Sequence, residues 1–176
     1  MKITASQFVN LLTIDRGIRA RGILEHYAHS DAVLRYQSKQ DNDRSVYLPD
    51  HQNASKNAIL WFAVEKMPSE LVNAYITLSE YEINCEFGNH LLIGRVDQLY
   101  QINKNYLLVD TKSHVSATFS DQLQLSFYAY ILRCKNYALL DYAYIRSARE
   151  TVKYNSVEII PHLAVLELLE QAVQLM

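Results

Sequence analysis

The sequence predicts an α+β fold in which helices flank a central sheet on both faces (α/β/α). Three observations predict this class. Residues 80–87 alternate polar and apolar side chains with a period of two, which indicates a half-exposed strand. Residues 106–112 (YLLVDTK) form a second, mainly apolar run of strand length. Before and after these runs, apolar residues recur at the spacing of amphipathic helices.

The N-terminal part of the chain is predicted to be helical. Thr4 or Ser6 is suited to cap a short helix whose apolar residues lie at positions 8, 9, 11 and 12. A polar loop or flap is expected over residues 37–53, and Pro68 fits the first turn of a helix that follows a break. Three further helical stretches are predicted over residues 15–36, 54–66 and 69–78.

The middle of the chain is predicted to form an antiparallel hairpin. Residues 79–87 and 90–101 flank the dipeptide Gly88-Asn89, which is a two-residue turn signal. The tripeptide 103–105 (Asn-Lys-Asn) makes a second tight turn into the strand 106–112. Three neighbouring antiparallel strands are therefore expected.

The last third is predicted to return to the sheet and then to end in a helix. A helix over 119–133 precedes strands at 138–146 and 151–160, and Pro161 opens the final helix. No linker interrupts this order, so we expect one domain. Its predicted parts are N-terminal helices 1–78, a core 79–160 and a C-terminal helix 161–176.

Composition limits the functional classes. The 176 residues are 49% hydrophobic and 20% charged with a net charge of −2, so any nucleic-acid contact must come from a local basic patch. Cys85 and Cys134 are too few for a disulfide framework or a four-cysteine metal site, and they are expected to be buried thiols. Without a leader pattern or a membrane-length apolar run, we expect a soluble cytoplasmic protein.

Polar residues follow apolar runs where the predicted strands end. Asp97 and Asp110 lie on neighbouring strands, and Lys112 shares a strand face with Asp110. Carboxylates are ligands of hard cations such as Mg²⁺ or Mn²⁺, and the carbonyl of Thr111 is a further candidate ligand. Lys112 is placed to orient or help deprotonate an attacking water and to neutralise phosphate charge. The chemistry indicated is metal-assisted phosphodiester hydrolysis.

The helix after these strands carries a matching polar face. Gln124 and Tyr128 are four residues apart, with Asp121 one turn earlier, so their side chains are expected on one side of the helix. We therefore expect the amide of Gln124 and the phenol of Tyr128 to lie near the two acids and Lys112.

Taken together, these residues resemble the PD-(D/E)XK nuclease superfamily, and most closely its RecB-like exonuclease branch. The resemblance rests on Gly94-x-x-Asp97, then Asp110-x-Lys112 at the end of an apolar strand, then Gln124-x-x-x-Tyr128. It implies a restriction-endonuclease-like αβββαβ core with a mixed sheet. It also implies a DNA nuclease in recombination, repair or defence, with Asp97 and Asp110 binding metal, Lys112 catalytic, and Gln124 and Tyr128 positioning the lysine or the DNA.

Upstream residues match the branch more loosely. The branch carries a histidine ligand on a helix, often four residues after a glycine, and Gly22-x-x-x-His26 fits, although His29 competes for this role. Glu80 or Glu82 fits a recurrent acid before the hairpin. The chain lacks the four cysteines of iron–sulfur members and any P-loop, so it would act alone or with a helicase or other DNA-processing partner.

Simpler structural interpretations exist for each feature. An Asp-x-Lys at a strand end is commonly a solvated charge pair, and the hairpin glutamates commonly form an exposed face. Basic residues that would contact DNA are equally compatible with a solvated helix face: Arg16, Arg19, Arg21, Arg146, Arg149 and Lys153. The last helix is expected in the core or at a dimer surface. An alternative to the nuclease is a non-cleaving DNA-binding or assembly subunit on the same fold.

Overall fold

A computed structural model describes residues 1–13, 67–72, 74–148 and 152–176. In this part of the chain the strands are β1 (Lys2–Thr4), β2 (Tyr75–Phe87), β3 (His90–Ile102), β4 (Asn105–Lys112), β5 (Tyr142–Ala148) and β6 (Val152–Glu158). The helices are α1 (Ala5–Leu12), α2 (Ser69–Val72), α3 (Phe119–Cys134) and α4 (His162–Gln174). The predicted mixed sheet flanked by helices is confirmed.

Two tight turns connect the three antiparallel strands. Gly88 and Asn103 have φ angles of +55° and +56°, a backbone conformation that glycine and asparagine adopt at low cost. The strands they join, β2 with β3 and β3 with β4, pair in antiparallel register. The hairpin predicted from Gly88-Asn89 and the turn that begins at Asn103 are confirmed.

Strand β3 has two different neighbours along one edge. Strand β2 pairs with one edge of β3 over its whole length. On the other edge β1 runs parallel to residues 91–93, whereas β4 runs antiparallel to residues 98–102. The sheet continues through a parallel β4–β5 pair and an antiparallel β5–β6 pair. The edge of β3 over residues 94–97 therefore lies between two strands and pairs with neither.

Two helices begin with capping boxes, one at the predicted cap Thr4 and one at Thr118, which was not predicted. The hydroxyl of Thr4 accepts from the N–H of Gln7 at 3.2 Å while the Gln7 amide oxygen accepts from the N–H of Thr4 at 2.9 Å. Thr118 and Asp121 form the same reciprocal pair at the start of α3. Each box satisfies backbone donors that the first helical turn leaves without a partner.

Helices α1, α3 and α4 pack against one face of the sheet. The cluster on this face includes Phe8 of α1, Leu169 of α4, and Leu99 and Ile145 from the sheet, all fully buried. The rings of Phe8 and Phe127 lie 5.1 Å apart, so the N-terminal helix packs directly on α3.

The opposite face carries a second apolar cluster. Leu71 of α2 packs there with Tyr100, Leu107 and Val109 from the centre of the sheet. A hydrogen bond from the hydroxyl of Tyr144 to the carboxylate of Glu70 ties α2 to β5. The sheet is therefore covered by apolar contacts on both faces, as the α/β/α class requires.

Several predicted boundaries were wrong. The helix expected over residues 69–78 ends at Val72, and the chain becomes strand from Tyr75. Pairing with β3 decides this, because Ile76 aligns with Tyr100 and the hydroxyl of Thr77 donates to the carbonyl of Leu99 at 3.0 Å. Strand β1 was missed, since three residues are too few to show a period.

Smaller differences concern the end of the chain and the cysteines. Strand β5 begins at Tyr142 rather than at 138, and Pro161 is the N-cap of α4 rather than its first residue. Cys85 is half-buried and Cys134 is exposed, so the expectation of two buried thiols was wrong for Cys134. Arg146 is fully buried, which excludes it from a solvated face.

Some predictions concern residues outside the described part of the chain. These are the helices at 15–36 and 54–66, the loop at 37–53, and Arg149. Among the described residues, no helix is long and apolar enough to cross a membrane.

Candidate active site

Asp97 lies on β3 between the stretches that pair with β1 and with β4. The antiparallel register of β3 and β4 ends at the pair Gln98–Val109. Beyond it, the backbone N–H of Thr111 donates to Oδ2 of Asp97 at 2.7 Å. The carboxylate thus replaces a backbone carbonyl as the partner of β4, and Asp97 is 7% exposed. The side chain of Asp97 therefore connects β3 to β4 just beyond the end of their backbone pairing.

The side-chain alternation of β3 changes phase at Asp97. Val96 and Leu99 belong to the same core cluster although they are three residues apart, which a regular strand does not allow. On β2, Glu80 falls opposite Asp97 and has a φ angle of +51°. Left-handed backbone at a glutamate costs on the order of 1–3 kcal/mol. Both strands are thus irregular at the candidate site.

Asp110 and Lys112 lie on the face of β4 that is turned towards α3. The ammonium nitrogen of Lys112 lies 2.7 Å from Oδ2 of Asp110, and their side chains are 22% and 3% exposed. Asp110 aligns with Ile145 of β5, whose side chain belongs to the core cluster under α3. Period-two alternation along β4 then puts Thr111 on the opposite face.

The charge state of Lys112 follows from its neighbours. Burial alone would lower the pKa of Lys112, but the carboxylates of Asp110 and Asp97 outweigh it and raise that pKa above its ordinary value. Lys112 is therefore an ammonium at neutral pH. An ammonium donates hydrogen bonds and neutralises negative charge, but it has no lone pair with which to accept a proton.

A chain of hydrogen bonds leads from Lys112 into the core. The Lys112 ammonium donates to Oε1 of Gln124 at 2.7 Å, and Nε2 of Gln124 donates to the Tyr128 hydroxyl at 2.7 Å. Burial and then the negative charge of Asp110 raise the pKa of Tyr128, so its phenol stays neutral. The i, i+4 spacing on α3 makes this arrangement possible. Five of the predicted site residues thus lie together: Asp97, Asp110, Lys112, Gln124 and Tyr128.

The predicted hairpin acids differ from each other. Glu82 is exposed and pairs in register with Arg95. Glu80 is 5% exposed, so the expectation that it belongs to a solvated face was wrong. Its Oε2 lies 3.3 Å from Nε of Arg95. Of the two, Glu80 is the acid beside Asp97.

Other predicted site residues are not placed by the structure. Those outside the described residues are His26, its competitor His29, and the arginines 16, 19 and 21. Thr111 contributes its N–H to Asp97, while its carbonyl as a metal ligand stays a prediction. Asp121 serves the cap of α3 and lies 3.2 Å from Nε2 of His114 rather than joining the other acids. The Thr118-x-x-Asp121 spacing is the sequence signal that would have shown this role.

The donor set fits a hard divalent cation. Two buried carboxylates at one point of the sheet supply the oxygen ligands that Mg²⁺ and Mn²⁺ prefer. Within the described ranges, no group of three or more His, Cys, Asp or Glu side chains converges on one point. Mg²⁺ commonly uses one or two carboxylates and completes its shell with water and substrate phosphate, so two acids suffice.

Comparison with known proteins shows the family of this chain. A sequence profile of the PD-(D/E)XK nuclease superfamily matches residues 15–174, and the chain belongs to that superfamily. A crystal structure from Eubacterium rectale, described as a "putative exonuclease", aligns with 98% of this chain and 82% of its own at a TM-score of 0.51 and 9% identity. The crystal structure of SSO0001 aligns with 99% of this chain and 76% of its own at a TM-score of 0.47 and 13% identity. No curated protein matches.

Membership of this superfamily indicates that the protein is a nuclease. At 9% identity the Eubacterium rectale structure supports the restriction-endonuclease-like fold and nothing finer. Superfamily membership also agrees with use of a divalent metal, which the two buried acids independently favour.

Proposed function

We propose that this protein is a Mg²⁺- or Mn²⁺-dependent deoxyribonuclease of the RecB-like type, acting as an exonuclease on cytoplasmic DNA in recombination, repair or defence. One observation carries the proposal. The ammonium of Lys112 lies 2.7 Å from both Asp110 and Gln124, and the carboxylate of Asp97 is close enough to help raise its pKa. A lysine held between two acids and an amide, in a chain of this superfamily, has the composition of a hydrolytic site.

In this proposal the acids hold the ion and the lysine serves the phosphate. Asp97 and Asp110 offer carboxylate oxygens to the metal, which when bound activates water and polarises the phosphodiester. His26, or His29 in its place, would supply a further ligand, and Glu80 would add negative charge nearby. Hydrolysis adds water across one P–O bond and builds charge on the phosphoryl oxygens.

The contacts of Lys112 favour one of its two predicted roles. Its ammonium donates to Gln124 and lies 2.7 Å from Asp110, which suits the donor that orients water and neutralises phosphate charge better than the base that removes a proton. Gln124 fixes one of the three ammonium donors, which leaves the others for Asp110 and the reacting groups. Contacts to the DNA backbone are assigned in the proposal to Arg16, Arg19 and Arg21, and a helicase is the proposed partner.

A second candidate is a DNA-binding or assembly subunit that does not cut. The net charge of −2 and the presence of only two converging carboxylates in the described ranges favour it over a second enzyme class. It differs from the nuclease in keeping DNA intact whichever metal is added.

Cleavage of labelled DNA separates the two candidates. Wild-type protein with Mn²⁺ or Mg²⁺ is expected to degrade linear DNA, and chelation of the metal stops it. Lys112→Ala is expected to lower the rate by about 10²–10⁴-fold because the phosphate loses its cation. Lys104→Ala, which changes an exposed lysine in a turn, is the matched control and should cut at the wild-type rate. Retention of intact DNA by the wild type with every metal would contradict the proposal.

The mode of attack is tested on the same gels. An exonuclease requires an end, so covalently closed circular DNA should survive under conditions that degrade the linearised form. Degradation of both forms at similar rates would show an endonuclease and would remove the exonuclease part of the proposal.

A further inference from the structure

Gly94 lies against the ring of Tyr128. A Cβ atom at position 94 would be 2.7 Å from Cδ1 and 2.8 Å from Cε1 of that ring, and 3.4 Å from Cγ1 of Ile83. Carbon atoms in folded proteins pack at about 3.5–4.0 Å, so the first two contacts are overlaps. The φ angle of Gly94 is not left-handed, since Gly88 is the glycine with positive φ in the described residues. Position 94 therefore requires glycine for space, not for backbone conformation.

The Tyr128 ring has little freedom to move away. Cδ1 and Cε1 belong to the body of the ring, so relief requires a shift of the whole side chain rather than of a flexible tip. Its neighbours on α3, Phe127 and Ala129, are fully buried, and the Phe127 ring meets Tyr128 edge-on at 6.4 Å. A displaced ring would carry the hydroxyl with it.

The hydroxyl is the last member of the hydrogen-bonded chain that begins at Lys112. Gln124 connects the two with one bond of 2.7 Å at each end of its amide group. Because the amide is planar, movement of the Tyr128 hydroxyl either breaks the bond from Nε2 or turns Oε1 away from Lys112. The position of the Lys112 ammonium therefore depends on whether residue 94 leaves room for the Tyr128 ring.

We propose that Gly94 is a positioning residue for Lys112. By lacking a side chain it lets the Tyr128 ring rest on β3, so that Gln124 is held with its carbonyl towards the ammonium. The inference rests on the proposed nuclease function for its effect on rate. Gly94, the first residue of the Gly94-x-x-Asp97 pattern on β3, would thus help to place Lys112 on β4.

Gly94→Ala is expected to lower kcat by about 10- to 100-fold, because displacement of a reacting group by ~1 Å has effects of this size. KM for DNA and the affinity for Mn²⁺ should stay within about twofold, since neither carboxylate is touched. Gly88→Ala is the matched control: it strains a left-handed turn at the far end of the hairpin and should lower Tm without lowering kcat below the unfolding transition.

A double-mutant cycle separates positioning from general damage to the fold. Tyr128→Phe removes the hydroxyl and keeps the ring, so the overlap caused by Gly94→Ala should lower Tm both in the wild type and in this background. In the Tyr128→Phe background, however, Gly94→Ala should change kcat by less than about twofold. Should Gly94→Ala not fold, Tyr128→Leu supplies the alternative background. With the ring gone, adding Gly94→Ala to Tyr128→Leu should change neither Tm nor kcat.

Each result decides the matter. Independent effects of Gly94→Ala and Tyr128→Phe on kcat would overturn the inference, as would a double variant Gly94→Ala/Tyr128→Leu that fails to fold while Tyr128→Leu folds. A wild-type protein that cuts no DNA overturns the proposed function, and the inference with it. Wild-type cutting with an unchanged kcat in Gly94→Ala overturns the inference alone.

Discussion

At the scale of the residue, Asp97 performs two tasks that are usually separate. Its Oδ2 satisfies the backbone N–H of Thr111, and its charge helps keep Lys112 protonated. The first task needs an oxygen acceptor, whereas the second needs a negative charge. Asparagine offers the acceptor without the charge, so substitution distinguishes them.

Asp97→Asn is accordingly expected to keep the fold and lose the chemistry. Its free energy of unfolding in a chelating buffer should stay within about 1 kcal/mol of the wild type, because the bond to Thr111 is preserved. Cleavage of DNA should fall at least ~100-fold with the loss of a proposed metal ligand.

Asp97→Ala completes the comparison. It leaves the buried N–H of Thr111 without its acceptor, which should lower the free energy of unfolding by about 1–3 kcal/mol. Chemical denaturation measures both variants. Equal stability of the alanine and asparagine variants would show that the bond between Asp97 and Thr111 contributes nothing.

At the scale of the element, α3 joins the site to the core. Its first turn is fixed by the capping box of Thr118 and Asp121, its middle presents Gln124 and Tyr128 to the sheet, and its residues 125–132 are all buried. The helix predicted over 119–133 agrees with the observed bounds of α3 to within one residue.

Thr118→Ala tests how much that cap stabilises α3. Loss of the hydroxyl removes the acceptor of the Asp121 N–H and should lower the free energy of unfolding by about 1 kcal/mol. Ser120→Ala, two residues later in the first turn of the same helix, is the control and should stay within about 0.5 kcal/mol. A thermal or urea unfolding series measures both, and equal losses would contradict the capping role.

The elements that the sequence predicted poorly have a common physical cause. Tyr75, Ile76 and Thr77 suit both a helix end and a strand, and only the pairing with β3 decides between them. The phase change at Asp97 leaves no local signal either, because it lies between the stretches of β3 that pair with β1 and with β4, and these partners are distant in sequence. By contrast, the proximity of Lys112 to Asp110 and of Tyr128 to Gln124 was predicted from spacing, since the periods of strand and helix fix which side chains share a face.

At the scale of the whole molecule, the two ends of the described chain meet on one face of the sheet. Phe8 of α1 lies on Phe127 of α3, and α1 also contacts α4. This core contains residues separated by more than a hundred positions in sequence. Removing one of its large side chains should therefore lower the free energy of unfolding of the whole domain.

Phe8→Ala is expected to lower the free energy of unfolding by about 3–5 kcal/mol, because the side chain is fully buried and leaves a cavity. Phe119→Ala is the matched control: that ring is 59% exposed, and its removal should change stability by no more than about 0.5 kcal/mol. Denaturant midpoints of the two variants provide the measurement. A small effect at Phe8 would show that α1 is not part of the cooperative core.

The interrupted edge of β3 has a consequence for protein engineering. A designer who transplants the two acids and the lysine into an unbroken antiparallel ladder supplies the right side chains in the wrong surroundings. There the amide that Asp97 binds would already be taken by a carbonyl, so the acid would lose the contact that fixes its position. A successful transfer would also have to include β1 and β4, which pair with separate stretches of the same edge of β3. The strand arrangement is therefore as necessary to this group of residues as the side chains themselves.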